Sequence, residues 1–246
     1  MNPLDRTEHR PWPLPGSPWV MSMTWRDLAF LHWPVSAAAL AARISPGLTL
    51  DTFYGDAYLG IVPFHMTGVR PRFVPPLPGL SSFIELNVRT YVSADGKPGV
   101  WFFSLDATSR LAVRGARRFF HLPYFDARMS SERRSGFVHY RSERVHRGAP
   151  EARFAARYRS TGPAGRSELE TWLTERYCLY AETKGAIFRG DIHHRPWPLE
   201  NGEAEIETVD MTGLLGMDLP RTPPLTHFSE RLDVVGWPLL PVERLP

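Results

Sequence analysis

From Phe83 to Val92 the chain alternates without a break. Ile84, Leu86, Val88, Thr90 and Val92 fall on one side, and Phe83, Glu85, Asn87, Arg89 and Tyr91 on the other. A period of two puts the two sets on opposite faces of a sheet. One face is apolar and must be buried. The other carries an acid, an amide, a guanidinium and a phenol in a row. That second face lines a polar interior, meets water, or holds a structural Glu85–Arg89 ion pair. Asp95-Gly96 and Pro98-Gly99 then turn the chain into a second strand, Val100–Leu105, as an antiparallel hairpin.

The same signals organise the rest of the chain. Pro11, Pro13, Pro15 and Pro18 deny residues 1–22 helix and ladder bonds, which predicts a mobile arm ahead of a single domain over 23–246. Ser36 caps an expected helix over Ala37–Ile44, stopped by Pro46-Gly47. Strands are expected at Thr52–Tyr58 and Leu59–His65. A second helix, Ala107–Phe119, takes Asp106 as its N-cap, and extended segments resume at Tyr124–Met129, Gly136–Ser142 and Ala152–Arg159. Ser167 and Glu170 have the spacing of a capping box for a third helix ending near Glu175. A hairpin follows, Arg176–Glu182 and Ala186–His193, across Thr183-Lys184-Gly185, and a last strand pair covers Glu205–Asp210 and Phe228–Val235. Many short strands in hairpins with three helices make this a β-barrel or α+β domain, not a doubly wound sheet.

Composition narrows the function classes. Of 29 basic residues, 27 are Arg, against 26 acidic residues, for a net charge of +3. Thirteen of these arginines lie between Thr108 and Arg159, yet no nucleic-acid-binding motif accompanies them, so a solvated surface is expected, with RNA binding through these arginines as the third-ranked reading of function. The lone Cys178 excludes an intrachain disulfide, fits a reducing compartment, and is expected to be buried and inert. The first residues lack the apolar core of a secretory signal, and the longest apolar run, Val35–Ala42, is far below the ~20 residues of a membrane span. The expectation is a cytoplasmic protein with no membrane partner.

Three patterns together resemble the YqjF-like family of bacterial proteins. They are the Met23–Pro34 stretch Met-Thr-Trp-Arg-Asp-Leu-Ala-Phe-Leu-His-Trp-Pro, the Glu-x-Asn-x-Arg-x-Tyr strand from Glu85 to Tyr91, and His193-His-Arg-Pro-Trp-Pro198. The resemblance implies an acetoacetate decarboxylase-like fold: a mostly antiparallel barrel with about three flanking helices and a ligand cavity inside. A more distant likeness to the decarboxylases themselves aligns Glu85 with their active-site Glu and Leu105-Asp106 with a Leu-Asp step. It also aligns Ala107–Phe119 with their helix and Pro123 with the Pro of a Pro-Lys-Lys motif. In that motif the first Lys forms a Schiff base; here Tyr124 and Phe125 follow Pro123. The residues agree with that departure. An imine-forming enzyme needs a buried amine of depressed pKa, and the only lysines, Lys97 and Lys184, fall in expected turns beside glycine.

The candidate chemistry that remains is acid–base. Arg89 suits bidentate capture of a carboxylate or another planar anion, with Asn87 and Tyr91 beside it. Glu85 suits general acid or base work once burial raises its pKa. Tyr124, at the matched lysine position, offers a phenol to a bound carbonyl, against simple packing after Pro123. One of His193 and His194 must face inward if the strand runs through both, with His193 the candidate base and His194 a ligand contact. Trp25 and His32-Trp33-Pro34 read as aromatic closure of one barrel end. No metal site is expected, for lack of His-x-x-x-His or paired cysteines, and no cofactor, since neither Gly-x-Gly-x-x-Gly nor a Walker loop occurs. The expected partner is a small organic molecule, anionic or carbonyl-bearing. A non-catalytic metabolite-binding or scaffold role is the alternative, and a second copy of the chain remains a candidate partner.

Overall fold

The computed structural model describes residues 3–242. At the first turn, Asp95 and Gly96 both have positive φ, 51° and 68°, so a two-residue type I′ turn joins β4 (Phe83–Ala94) to β5 (Lys97–Ala107). Ser135-Gly136 and Lys184-Gly185 repeat that geometry between later strand pairs.

Ahead of β4 run β1 (Met21–Val35), α1 (Ala37–Ala41), the short β2 (Thr49–Leu50) and β3 (Ala57–Pro71). After β5 come α2 (Arg110–Phe119), β6 (Tyr124–Arg134), β7 (Phe137–Arg144) and β8 (Arg153–Pro163). The chain continues through α3 (Glu168–Thr174), β9 (Cys178–Thr183), β10 (Ala186–His194), β11 (Glu200–Asp210) and β12 (Leu225–Pro241). The Ser167–Glu170 capping box is formed in both directions, and Ser36 caps α1.

All strands belong to one sheet, which closes on itself twice. A larger ring runs β5-β6-β7-β8-β11-β12-β1-β3-β4 and back to β5. A smaller one runs β5-β9-β10-β12-β1-β3-β4 and back. Among the described residues only β5–β6 and β5–β9 are parallel pairings. The two rings share the wall β12-β1-β3-β4-β5, so these strands have an interior on each side. Leu31, Leu59, Leu86, Val88, Tyr140 and Phe154 pack inside the larger ring. Leu28, Phe30, Val62, Phe64 and Val234 pack on the smaller-ring side, closed by Trp197.

The double closure explains two departures from the expected elements. β1 runs for 15 residues where only barrel-end aromatics were anticipated, because Leu28–Leu31 is apolar on both faces and shows no alternation. The expected break between Tyr58 and Leu59 does not occur, and β3 continues to Pro71 for the same reason.

Asp106 does not cap α2. Ser109 does, accepting from the Ala112 amide. Asp106 instead lies on the larger-ring side of β5, opposite Leu86, where both its oxygens accept from Arg144 on β7 at 2.7 Å. Neither side chain is more than 1% exposed. The proline-rich arm, expected to be mobile, is laid against the barrel. The Arg10 guanidinium is buried beside Asp191 at 3.6 Å and donates to the Ile192 carbonyl at 2.6 Å, and the Trp12 indole donates to Asp191.

About half of the arginines between Thr108 and Arg159 meet carboxylates. Arg157 faces Glu205 and Arg159 faces Glu203 in register across β8 and β11, while Arg141 meets Glu207. Cys178 is buried and its thiol is pushed up to about 12 by that burial, so it is inert as a nucleophile. Among the described residues no helix is long and apolar enough to cross a membrane.

Candidate functional site

The polar face of β4 looks into the smaller ring. β3 and β4 pair in continuous register from Phe83 to Arg89, so alternation holds along the row, while β5 absorbs an irregularity opposite Val88–Arg89. Glu85, Asn87, Arg89 and Tyr91 are all buried. A solvated outer face is therefore excluded for this row.

Each member has its own surroundings. Glu85 is 2% exposed, and its Oε2 accepts from the Tyr124 hydroxyl at 2.8 Å. Burial pushes the Glu85 carboxyl up to about 8, against the pull of that hydrogen bond. The Tyr124 phenol is held well above its ordinary range by burial and by Glu85. Asn87 Oδ1 is buried with no hydrogen-bond partner among the described residues. Arg89, 9% exposed, has no carboxylate within ion-pair reach among the described residues, and its Nε is unpartnered. Its guanidinium lies 5.1 Å from the Phe30 ring centre and donates to the Tyr91 hydroxyl at a long 3.4 Å. No Glu85–Arg89 ion pair forms.

Residues from other elements complete this face. His32 on β1, Gly60 on β3 and Arg89 on β4 are direct cross-strand neighbours. A Cβ at Gly60 would stand 3.1 Å from His32 Cδ2 and 3.3 Å from Arg89 Cγ, so glycine leaves the room in which the two side chains meet. His32 is fully buried and its Nε2 bonds the Tyr91 hydroxyl at 2.6 Å. Burial, then the neighbouring Arg89 and His227, hold its pKa well below the ordinary histidine range. Arg176, just past α3, stacks 4.8 Å from the Tyr91 ring but is neutralised by Asp51 at 2.5 Å. His32, Arg176 and His227 were not singled out from the sequence as site residues. The one available signal was His32 within the Met23–Pro34 pattern.

The histidine pair divides as strand alternation requires. His194 pairs with Val234 and shares the smaller-ring side with Trp25 and Trp197, 6.3 and 5.3 Å away ring to ring. His193 points the other way, under the arm, where its Nε2 bonds the carbonyls of Pro3 and Arg6 at 3.0 and 3.1 Å. Burial lowers both to about 4, so both rings are neutral at pH 7. Neither makes a hydrogen bond to Glu85, Arg89 or Tyr124. Among the described residues no group of three metal-ligating side chains converges.

The raised Glu85 pKa has a sign that stability can read. The folded state keeps its proton up to about pH 8, whereas an unfolded glutamate ionises near 4.5. The stability that the buried neutral acid supports is present below pH 4.5 and is lost as pH rises toward 8. Glu85→Gln, which keeps an acceptor for Tyr124, is therefore expected to gain stability over the wild type progressively across that window and to level off above it. Urea denaturation of both proteins at several pH values measures this; a difference that does not vary with pH would refute the assignment.

Comparison with known proteins agrees with this architecture. Residues 22–233 match the DUF2071 family, described as "Uncharacterized conserved protein". The chain is 46% identical over 229 residues to "Uncharacterized protein YqjF" of Bacillus subtilis (strain 168), covering 92% of this chain and 94% of that one. Among solved structures, the enduracididine biosynthesis enzyme MppR complexed with pyruvate superposes with a TM-score of 0.63 at 10% identity, covering 96% of this chain and 94% of that one. Acetoacetate decarboxylase from Legionella pneumophila gives 0.61 at 12% identity, covering 96% and 93%. At such identities the likeness establishes the fold, which is acetoacetate decarboxylase-like. By the match over residues 22–233 and the close relation to YqjF, the chain belongs to the DUF2071 family of YqjF-like bacterial proteins.

Proposed function

We propose that the smaller ring binds a small organic anion, with Arg89 gripping its carboxylate and Glu85 and Tyr124 addressing a carbonyl or hydroxyl group. One observation carries the reading: Arg89 is a buried cation with no anion beside it among the described residues. Burying an unpaired charge costs several kcal/mol, and a ligand carboxylate offsets that cost through paired hydrogen bonds. The unpartnered Asn87 Oδ1 lies between Arg89 and Glu85 on the same face. The Cα atoms of Glu85 and Arg89 stand roughly 13 Å apart, so their long side chains must converge over Asn87 to meet one small molecule. Pyruvate, held by MppR, joins a carboxylate to a carbonyl, the two groups these residues suit.

If turnover occurs at this site, a carboxyl that titrates near 8 is protonated at pH 7 and serves as the acid. Imine chemistry is not part of this reading. Lys184 lies in a hairpin turn and Lys97 follows one, and the resemblance to the decarboxylases aligns Tyr124 with their lysine. Thermal melting against a panel of small carboxylates and oxo acids, with their amides as controls, tests the proposal. A matching carboxylate at a hundred times its Kd is expected to raise the melting temperature by roughly 5–10 °C, and its amide not at all. Equal responses to acid and amide would defeat the assignment of Arg89 as the anchor.

A further inference from the structure

Two buried histidines on the smaller-ring side each leave one ring nitrogen unpartnered. His32 Nδ1 and His227 Nδ1 have no hydrogen-bond partner among the described residues, and the residues are 0% and 1% exposed. His227 on β12 sits opposite Phe30 of β1, and His32 is two residues further along that strand on the same face. The two histidines are thus diagonal cross-strand neighbours, with Cα atoms roughly 7–8 Å apart. The outer nitrogens of both are engaged: His227 Nε2 with Glu170 Oε1 at 3.0 Å, and His32 Nε2 with the Tyr91 hydroxyl at 2.6 Å.

The proton positions follow from these partners. Arg89 can only donate, so the Tyr91 oxygen accepts from it, and the arrangement that also uses the Tyr91 O–H has it donate to His32 Nε2. Neutral His32 then carries its proton on Nδ1. Glu170 receives the Ser167 amide on its other oxygen and can only accept from His227, so His227 carries its proton on Nε2. The two free nitrogens are therefore a donor on His32 and an acceptor on His227. They are complementary. A water that accepts from one and donates to the other would satisfy two buried polar atoms that are otherwise unpaired.

We propose that Tyr91, His32, one buried water, His227 and Glu170 form a single hydrogen-bonded proton relay. It runs from Arg89 to a cleft of about 180 Å³, whose walls include Glu170, Thr174 and Trp197. In the resting state every donor points from Arg89 toward Glu170. When a proton enters at Tyr91 each link passes its own proton toward Glu170 and its bond reverses in turn, and one proton leaves at Glu170, so the chain ends with its charge unchanged. Tyr91 is the relay's inner terminus, and His32, His227 and Glu170 are positioning residues that act through it. The relay needs no ligand, so it stands or falls separately from an anion at Arg89.

Proton–nitrogen correlation NMR of the histidine side chains at pH 7 tests it on the unaltered protein. The expected result is His32 protonated on Nδ1 and His227 on Nε2; the same tautomer in both rings, or a charged ring at either position, overturns the relay. Glu170→Ala supplies the second arm. It should shift the ring nitrogens of His227 and His32 together and leave those of His193 unmoved. A change confined to His227 means that the two histidines are not coupled.

Discussion

The Arg89→Leu protein is expected to melt higher than the wild type while no longer responding to small carboxylates. Both effects come from one charge. Without ligand, the guanidinium is buried beside Phe30 with a 3.4 Å bond to Tyr91 and, among the described residues, no carboxylate. Leucine keeps the Cγ that packs on Gly60 and removes the desolvated cation. Replacing poorly compensated buried charge by packed apolar atoms is neutral or stabilising by about 1–4 kcal/mol, and each kcal/mol shifts melting by about 2–4 °C in a chain of this size. Affinity moves the other way. Truncating one partner of a buried charged contact costs about 2–5 kcal/mol, at least about 30-fold in Kd. Differential scanning calorimetry with and without the best carboxylate from the melting panel reads both quantities. A variant that melts several degrees lower would make Arg89 a structural residue and remove the support for an anion site.

The opposite outcome is expected at a second buried arginine, Arg144. Asp106→Ala leaves Arg144 fully buried after losing two 2.7 Å bonds. Removing one partner of such a pair costs about 3–5 kcal/mol, or a fall in melting temperature of roughly 6–20 °C. Adding Arg144→Met to a variant with Asp106→Leu is expected to restore most of that loss, because the second substitution removes the stranded charge. Single and double variants in one denaturation series decide it: a single variant within 1 °C of the wild type would show that Arg144 finds another partner.

These two arginines also show what could be read from sequence. β4 was legible because its two faces differ: Leu86 and Val88 serve one ring, Glu85 and Arg89 the other. β1 and β3 separate the same two interiors, but both of their faces are apolar over Leu28–Leu31 and Leu59–Val62, so no period marks β1 as a strand or fixes where β3 begins and ends. The site was legible only along one strand. Glu85, Asn87, Arg89 and Tyr91 share a segment, whereas His32, Arg176 and His227 reach them from β1, the end of α3 and β12. Nothing in local spacing links residues that distant. Asp106 misled because an aspartate ahead of a helical run resembles a cap, and its partner lies 38 residues later on β7.

The shared wall has a consequence for how the chain is made. β12 follows every other strand in the chain, yet the larger ring closes through its pairing with β11 and the smaller through its pairing with β10. During synthesis neither interior can seal before residues 225–241 leave the ribosome. Arg89, Glu85 and the Asp106–Arg144 pair therefore stay hydrated until the final stage. Their dehydration is coupled to one late docking event, with contacts spanning about 200 residues of sequence, the kind of non-local closure that folds slowly. A chain that ends before β12 would leave both interiors open at once, since β12 pairs with β10 in one ring and β11 in the other.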